Sequence, residues 1–149
     1  MAAGGILKEQ LLVIEELTVK LNEDIEKGEI VYNDGNGILA APNTAVGSFM
    51  MALSDHDYSE ETVHKVSCVV MGLVECQKVA GSGGGKKGQR VMISATAGEV
   101  TLHVKGDAPA AYAEADVQTA LDANLRVGGT LQADAADADT TARVWLGVS

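Results

Sequence analysis

The amino-acid sequence predicts a mainly β protein, a single small β-barrel or sandwich with one short inserted helix near residues 112–124. Short runs of β-branched and aliphatic residues recur along the chain, and turn residues, including many of its 17 glycines, separate them. Aromatic residues make up only 3% of the chain, so we expect a core of Val, Leu, Ile, Ala and Met. The length of 149 residues suits one domain.

The first predicted strand lies within residues 11–21, because apolar and polar residues alternate from residue 17 to residue 21. The spacing of the first apolar residues in this run also suits one face of a helix, so that alternative stays open. We divide the chain into an N-terminal arm, residues 1–16, and a β-rich domain, residues 17–149.

Further strands follow between turn signals. The run at 63–79 is long for one flat strand, and Gly72 within it indicates a bulge or bend. An Ala-rich segment between residues 107 and 124 has apolar residues at helical spacing, which predicts the helix. The eight strands predicted after the first are 29–32, 38–41, 48–53, 63–79, 89–94, 99–104, 130–133 and 141–148.

A five-residue motif occurs twice. Lys27-Gly28-Glu29-Ile30-Val31 returns as Lys87-Gly88-Gln89-Arg90-Val91, with three identities. A glycine turn that begins a strand explains both copies. Chance or a shared turn type therefore accounts for the match better than a duplication.

The chain is acidic, with a net charge of −10 and a pI of about 4.6. Nucleic-acid binding needs a basic surface, so we expect no nucleic-acid partner. The longest apolar runs are far shorter than the roughly 20 residues that span a bilayer, and no basic region precedes a long apolar stretch at the start. We therefore expect neither a membrane partner nor a signal peptide. The two cysteines are too few for a disulfide framework, so we expect synthesis in a reducing cytoplasm.

No constellation of residues predicts catalysis, a cofactor or a metal. The glycine-rich loop at 81–88 lacks the Ser or Thr of a phosphate-binding loop. His56 and His64 lack metal-ligand spacing, and we expect them in a solvated loop. The acidic residues of 134–139 lack the ligand ladder of a calcium loop. Cys68 and Cys76 are expected to be small core residues, although a hairpin turning at residue 72 would let them face each other.

The order of the segments carries a family resemblance. It comprises a glycine turn with a strand, an apolar strand, a long strand interrupted by Gly, a second glycine-turn strand, and a closing strand–loop–strand unit: 25–31, 46–53, 66–78, 87–93 and 129–147. This order resembles small decoration, or cement, proteins of tailed bacterial and archaeal viruses. The resemblance covers roughly residues 25–148, and the N-terminal arm and the helical insert depart from it.

The resemblance implies a β-barrel or sandwich without enzymatic activity that forms homotrimers on the outer surface of the capsid. The implied partner is the major capsid protein, and the implied location is the virion exterior after synthesis in the host cytoplasm. Two alternatives remain: a tail or head-fibre component, and a small β-clip domain that binds a ligand, which the turn at 24–29 resembles.

The N-terminal arm is the candidate region for partner contact. Its apolar residues exceed what a small core readily absorbs, and a segment that orders on binding must bury apolar area to offset the lost entropy. We expect the arm to be mobile in the free protein. Alternatively, residues 11–16 are the first strand of the domain's own sheet. The candidate contact residues are Ile6, Leu7, Leu11, Leu12 and Ile14.

Overall fold

The fold is taken from a computed structural model, which describes residues 3–45, 47–103 and 127–147, together with Glu114, Ala115, Val117, Gln118 and Leu121. These five single residues are helical and lie inside the predicted helix, whose other residues fall outside the described part of the chain. The prediction of a mainly β protein is confirmed, because a curled antiparallel sheet dominates the described residues. Its nine strands are β1 Ile6–Thr18, β2 Ile30–Asn33, β3 Ile38–Ala40, β4 Met50–Ala52, β5 Lys65–Gln77, β6 Arg90–Ile93, β7 Val100–Leu102, β8 Val127–Leu131 and β9 Thr141–Leu146.

Strand β5 organises the sheet, because it pairs with three other strands. One edge of β5 pairs with β1 along both of its halves. The other edge pairs with β4 at residues 68–69 and with β9 at residues 72–77. Gly72 has a φ of 150° and lies at the passage from one neighbour to the next, where the sequence predicts a bend. The strand order is β3-β2-β4-β5-β9-β8-β6-β7, with β1 beside β5.

The two halves of β5 belong to two lobes with the same topology. The N-lobe, residues 14–69, has the order β3-β2-β4-β5-β1 and uses the first half of β5. The C-lobe, residues 73–103 and 127–146, has the order β7-β6-β8-β9-β5 and uses the second half. A parallel bridge joins the first and third strands of each lobe, Val19 to Ile38 and Lys78 to Val100, so each lobe curls towards a barrel.

The match between the lobes extends to single hydrogen bonds. The Gly28 N–H donates to the Ala52 carbonyl at 2.9 Å, and the Gly88 N–H donates to the Leu131 carbonyl at 2.9 Å. The short sequence repeat is therefore part of a structural repeat of whole lobes, far beyond a shared turn type. Three more pairs of bonds match: Ala52 N to Glu29 O and Leu131 N to Gln89 O; Lys27 N to Asp55 Oδ1 and Lys87 N to Asp134 Oδ1; Glu26 N to Glu29 Oε2 and Lys86 N to Gln89 Oε1.

Two hydrophobic clusters follow from this arrangement. The first fills the interior of the N-lobe and includes Val31, Ile38 and Val66. The second fills the C-lobe and continues across the contact between the lobes. In that contact, side chains on the outer face of the N-lobe and side chains at one end of the C-lobe interior belong to the same hydrophobic cluster. The outer face contributes Ile30, Met51 and Val69, and the C-lobe end contributes Val74, Ile93 and Leu146.

Candidate functional site

The end of the N-lobe interior that corresponds to the covered end of the C-lobe interior is open to solvent. In the C-lobe, Val74 and Ile93 are completely buried beneath the N-lobe. Their equivalents by strand pairing are Glu15 and Asn33, and both side chains are exposed. Val70, the equivalent of Leu146, is only partly buried. We call Glu15, Asn33 and Val70 the open end of the N-lobe.

The outer faces of the two lobes also differ in burial: the face of the N-lobe is covered, and the face of the C-lobe is exposed. Ile30 and Met51 of the N-lobe are completely buried against the C-lobe. Arg90 pairs with Thr130 as Ile30 pairs with Met51, so Arg90 and Thr130 are the equivalent residues of the C-lobe. Arg90 is exposed, and Thr130 is partly exposed. Trp145, the equivalent of Val69, is also partly exposed. We call Arg90, Thr130 and Trp145 the outer face of the C-lobe.

The N-terminal segment forms part of the sheet in this structure. Strand β1 begins at Ile6, so the predicted boundary at residue 16 falls inside it. Residues 14–18 pair with the first half of β5, which matches the alternative that this segment is the first strand of the domain's own sheet. Before the strand, the Gly4 N–H donates to the Glu75 carbonyl at 2.7 Å, and the Glu75 N–H donates to the Gly5 carbonyl at 3.1 Å.

The candidate contact residues lie on both sides of an irregularity in β1. Leu12 packs partly buried against the C-lobe cluster, whereas the side chain of Ile14 is 44% exposed. Val13 is equally exposed and pairs with Met71, which is 38% exposed. Val13, Ile14 and Met71 form an apolar surface that we call the β1 patch. The side chains of the other three candidates, Ile6, Leu7 and Leu11, fall outside the described part of the chain.

The prediction of a solvated loop is wrong for His56. Its side chain is 2% exposed, with Nδ1 3.0 Å from Glu61 Oε2 and Nε2 3.2 Å from His64 Nδ1. His64 in turn stacks on Tyr58 at a centroid distance of 3.7 Å. The ring of His56 therefore attaches the β4–β5 loop to the start of β5. A buried polar group requires such partners, and neither the spacing nor the charge pattern of the loop revealed them.

The acidic loop of the C-lobe is attached by Lys78. This lysine is 5% exposed, and its Nζ donates to the carbonyl oxygens of Val79, Asp137 and Asp139 at 3.0–3.4 Å. The Asp134 carboxylate accepts hydrogen bonds from the Lys87 N–H and the Lys86 Nζ, and these bonds lower the pKa of Asp134. The loop is therefore held by N–H groups of the protein itself, from two lysine side chains and one backbone amide.

Cys68 and Cys76 are buried free thiols on one continuous strand. Burial raises the pKa of each to about 12, which leaves the reactive thiolate scarce at neutral pH. Among the described residues, no group of three or more His, Cys, Asp and Glu side chains is arranged to hold a metal ion. Within the same residues, no helix is long and apolar enough to cross a membrane.

No protein-family model, curated protein or solved structure matches this chain significantly. The site is therefore defined by its own geometry: the β1 patch, the open end of the N-lobe and the outer face of the C-lobe. The sequence indicated only part of the first. The signal for the other two was present in the repeat, which aligns buried Ile30 with exposed Arg90, but the repeat is too short to extend by sequence alone.

Proposed function

We propose that this protein is a structural component of a tailed virus that binds the outer capsid surface and stabilises contacts between capsomers of the major capsid protein. In this proposal it is a decoration protein, made in the host cytoplasm, that functions as a homotrimer and catalyses no reaction. The support is the family resemblance of residues 25–148 together with the mainly β fold that the resemblance implies and the chain adopts.

A protein of this kind needs a rigid body and a complementary surface. Joints between capsomers open under the internal pressure of packed DNA, and a bridging protein adds buried area at each joint. A standard interface buries on the order of 1,600 Å², and repetition over many sites makes a modest affinity effective. The two lobes share one long strand, which ties them into a body suited to this role.

The β1 patch is the proposed contact with the capsid. Val13 and Ile14 expose apolar surface beside Met71 on a long strand at the edge of the sheet. Exposed apolar residues that lie together mark interaction surfaces more often than single exposed ones do. The single observation that carries the proposal for this contact is therefore the clustering of these three side chains.

The test is binding of purified protein to heads that lack it. We expect saturable binding at a fixed ratio to the major capsid protein, measured by sedimentation. The variant Val13→Asp/Ile14→Asp places two charges in the β1 patch and should weaken binding at least tenfold. Leu21→Asp is the matched control, because Leu21 is 69% exposed and lies outside the patch.

Two results would contradict the proposal. If wild-type protein fails to bind the heads at any salt concentration, the function is wrong, and finding the protein only in purified tails would favour a tail component. If Leu21→Asp weakens binding as much as the double variant, the β1 patch is not the contact. Deletion of residues 1–10 tests the arm separately. Because it removes the pairing of β1 with the second half of β5, we expect a lower melting temperature as well as weaker binding.

A further inference from the structure

The contact between the two lobes within one chain has two unlike sides. One side is the outer face of the N-lobe, and the other is the end of the C-lobe interior. Because both lobes have the same topology, the chain carries a second copy of each side. These second copies are the outer face of the C-lobe and the open end of the N-lobe, and neither takes part in the contact between the lobes.

We propose that the outer face of the C-lobe of one copy docks on the open end of the N-lobe of a second copy, repeating between chains the contact that joins the lobes within a chain. The two surfaces are different patches of the same molecule, so the association is head-to-tail. Such contacts close into a ring when the rotation between copies allows it. Three copies would place six lobes in the ring, and the proposed homotrimer takes this form.

The charges of the two surfaces are complementary. In the contact within the chain, the equivalent positions are occupied by Ile30 on the outer face and Val74 at the lobe end, both completely buried. In the surfaces left over, these positions are Arg90 and Glu15. A basic and an acidic residue thus stand where the two apolar residues of the internal contact stand. Opposite charges across a contact orient the partners and exclude wrong ones.

The remaining positions suit an interface formed by separate chains. Trp145 on the C-lobe and Val70 on the N-lobe are both partly exposed, and Trp is enriched in the centres of protein interfaces. The β3–β4 connection of the N-lobe contributes buried Phe49 to the internal contact. The equivalent β7–β8 connection of the C-lobe carries two exposed apolar residues, Val117 and Leu121.

The main alternative for these surfaces is ordinary solvation. Polar residues on a free surface need no partner, and a solvated end would leave the protein monomeric. The two accounts differ in one measurable respect, because only docking makes the signs of Arg90 and Glu15 depend on each other. A charge exchange between them therefore separates the two accounts.

The experiment compares Glu15→Arg, Arg90→Glu and the double exchange in the full-length chain. Wild-type protein should give a multiple of the monomer mass by light scattering, with three copies expected. Each single variant should raise the dissociation constant at least tenfold, and the double exchange should restore most of the loss. Glu60→Arg is the control, since Glu60 is exposed on the β4–β5 loop and belongs to neither of the two surfaces.

A monomeric wild-type protein at all concentrations would overturn the proposal, as would single variants with the wild-type mass. If the single variants dissociate and the double exchange does not restore association, the pairing of Glu15 with Arg90 is also overturned. Circular dichroism of every variant shows that the fold is retained. This inference deepens the self-association of the proposed function. Because the measurement needs no capsid, its failure is distinguishable from a failure of capsid binding.

Discussion

The N-lobe and the C-lobe share a backbone hydrogen-bond pattern but fill their interiors differently. Ile25 and Ala52 of the N-lobe correspond to Gly85 and Leu131 of the C-lobe, so the large and the small residue exchange positions. A Cβ atom on Gly85 would lie 2.7 Å from Leu131 Cδ1. Interiors are close-packed, so such exchanges must be paired.

The buried polar groups differ in the same way. His56 attaches the loop before the last strand of the N-lobe, whereas Ala135 occupies the equivalent position in the C-lobe. Lys78 attaches the C-lobe loop, and its equivalent in the N-lobe is the buried Val19. The comparison shows that the glycine turns and the backbone bonds define the lobe, while different side chains can close its loop end.

The largest expected effect on stability comes from changing the side-chain volumes at Gly85 and Leu131, which are exchanged between the lobes. Leu131→Ala should lower the free energy of unfolding by about 2–5 kcal/mol, because it leaves a cavity in the C-lobe. Adding Gly85→Ile gives the C-lobe the same pair of residues, Ile and Ala, that the N-lobe has at these positions. The double variant should therefore recover more than half of the lost stability, whereas Gly85→Ile alone should be destabilising. Urea unfolding measures all three. If the double variant is no more stable than Leu131→Ala, the two interiors are not interchangeable.

A smaller effect is expected at the loop attachment. Lys78→Met keeps the length of the side chain but removes the donor to three carbonyl oxygens, which should cost about 1–3 kcal/mol. Lys65→Met is the control, because the side chain of Lys65 is 53% exposed, and its effect should be within about 0.5 kcal/mol. Equal melting temperatures for the two variants would show that the lysine contributes nothing to the loop.

The smallest expected effect on stability comes from the residue that directly precedes β2 in the N-lobe and β6 in the C-lobe. Glu29 of the N-lobe and Gln89 of the C-lobe accept equivalent backbone hydrogen bonds. Burial raises the pKa of Glu29 above its ordinary value of 4.5, so the folded protein binds the proton more tightly than the unfolded chain does. The stability contribution of this group is therefore full below pH 4.5 and is lost as the pH rises through the folded pKa.

Glu29→Gln should consequently raise the melting temperature relative to wild type at pH 7 and leave it nearly equal at pH 4. Differential scanning calorimetry across this range measures the difference. The reciprocal variant Gln89→Glu should show little pH-dependent change, because residue 89 is exposed. A difference for Glu29→Gln that stays constant from pH 4 to pH 7 would refute the assignment.

Local patterns in the sequence predict most of the strands that the structure contains. The predicted 29–32, 38–41, 89–94 and 99–104 segments contain or closely overlap β2, β3, β6 and β7, because alternation and glycine turns act within a few residues. The bend at Gly72 was also predicted from the sequence. The exposure of Ile14 was outside the reach of these patterns, since it depends on how β1 pairs with β5.

Composition and local patterns are enough to predict the strand class, the turns and the acidic character of the chain. The sharing of β5, the repeat of the lobes and the burial of His56 and Lys78 follow from the tertiary structure, as does the placement of Glu15 and Arg90 on the two complementary surfaces. The physical reason is distance along the chain. Pairings such as Val74 with Val144 join residues far apart in sequence, and burial follows from these pairings, not from any local pattern.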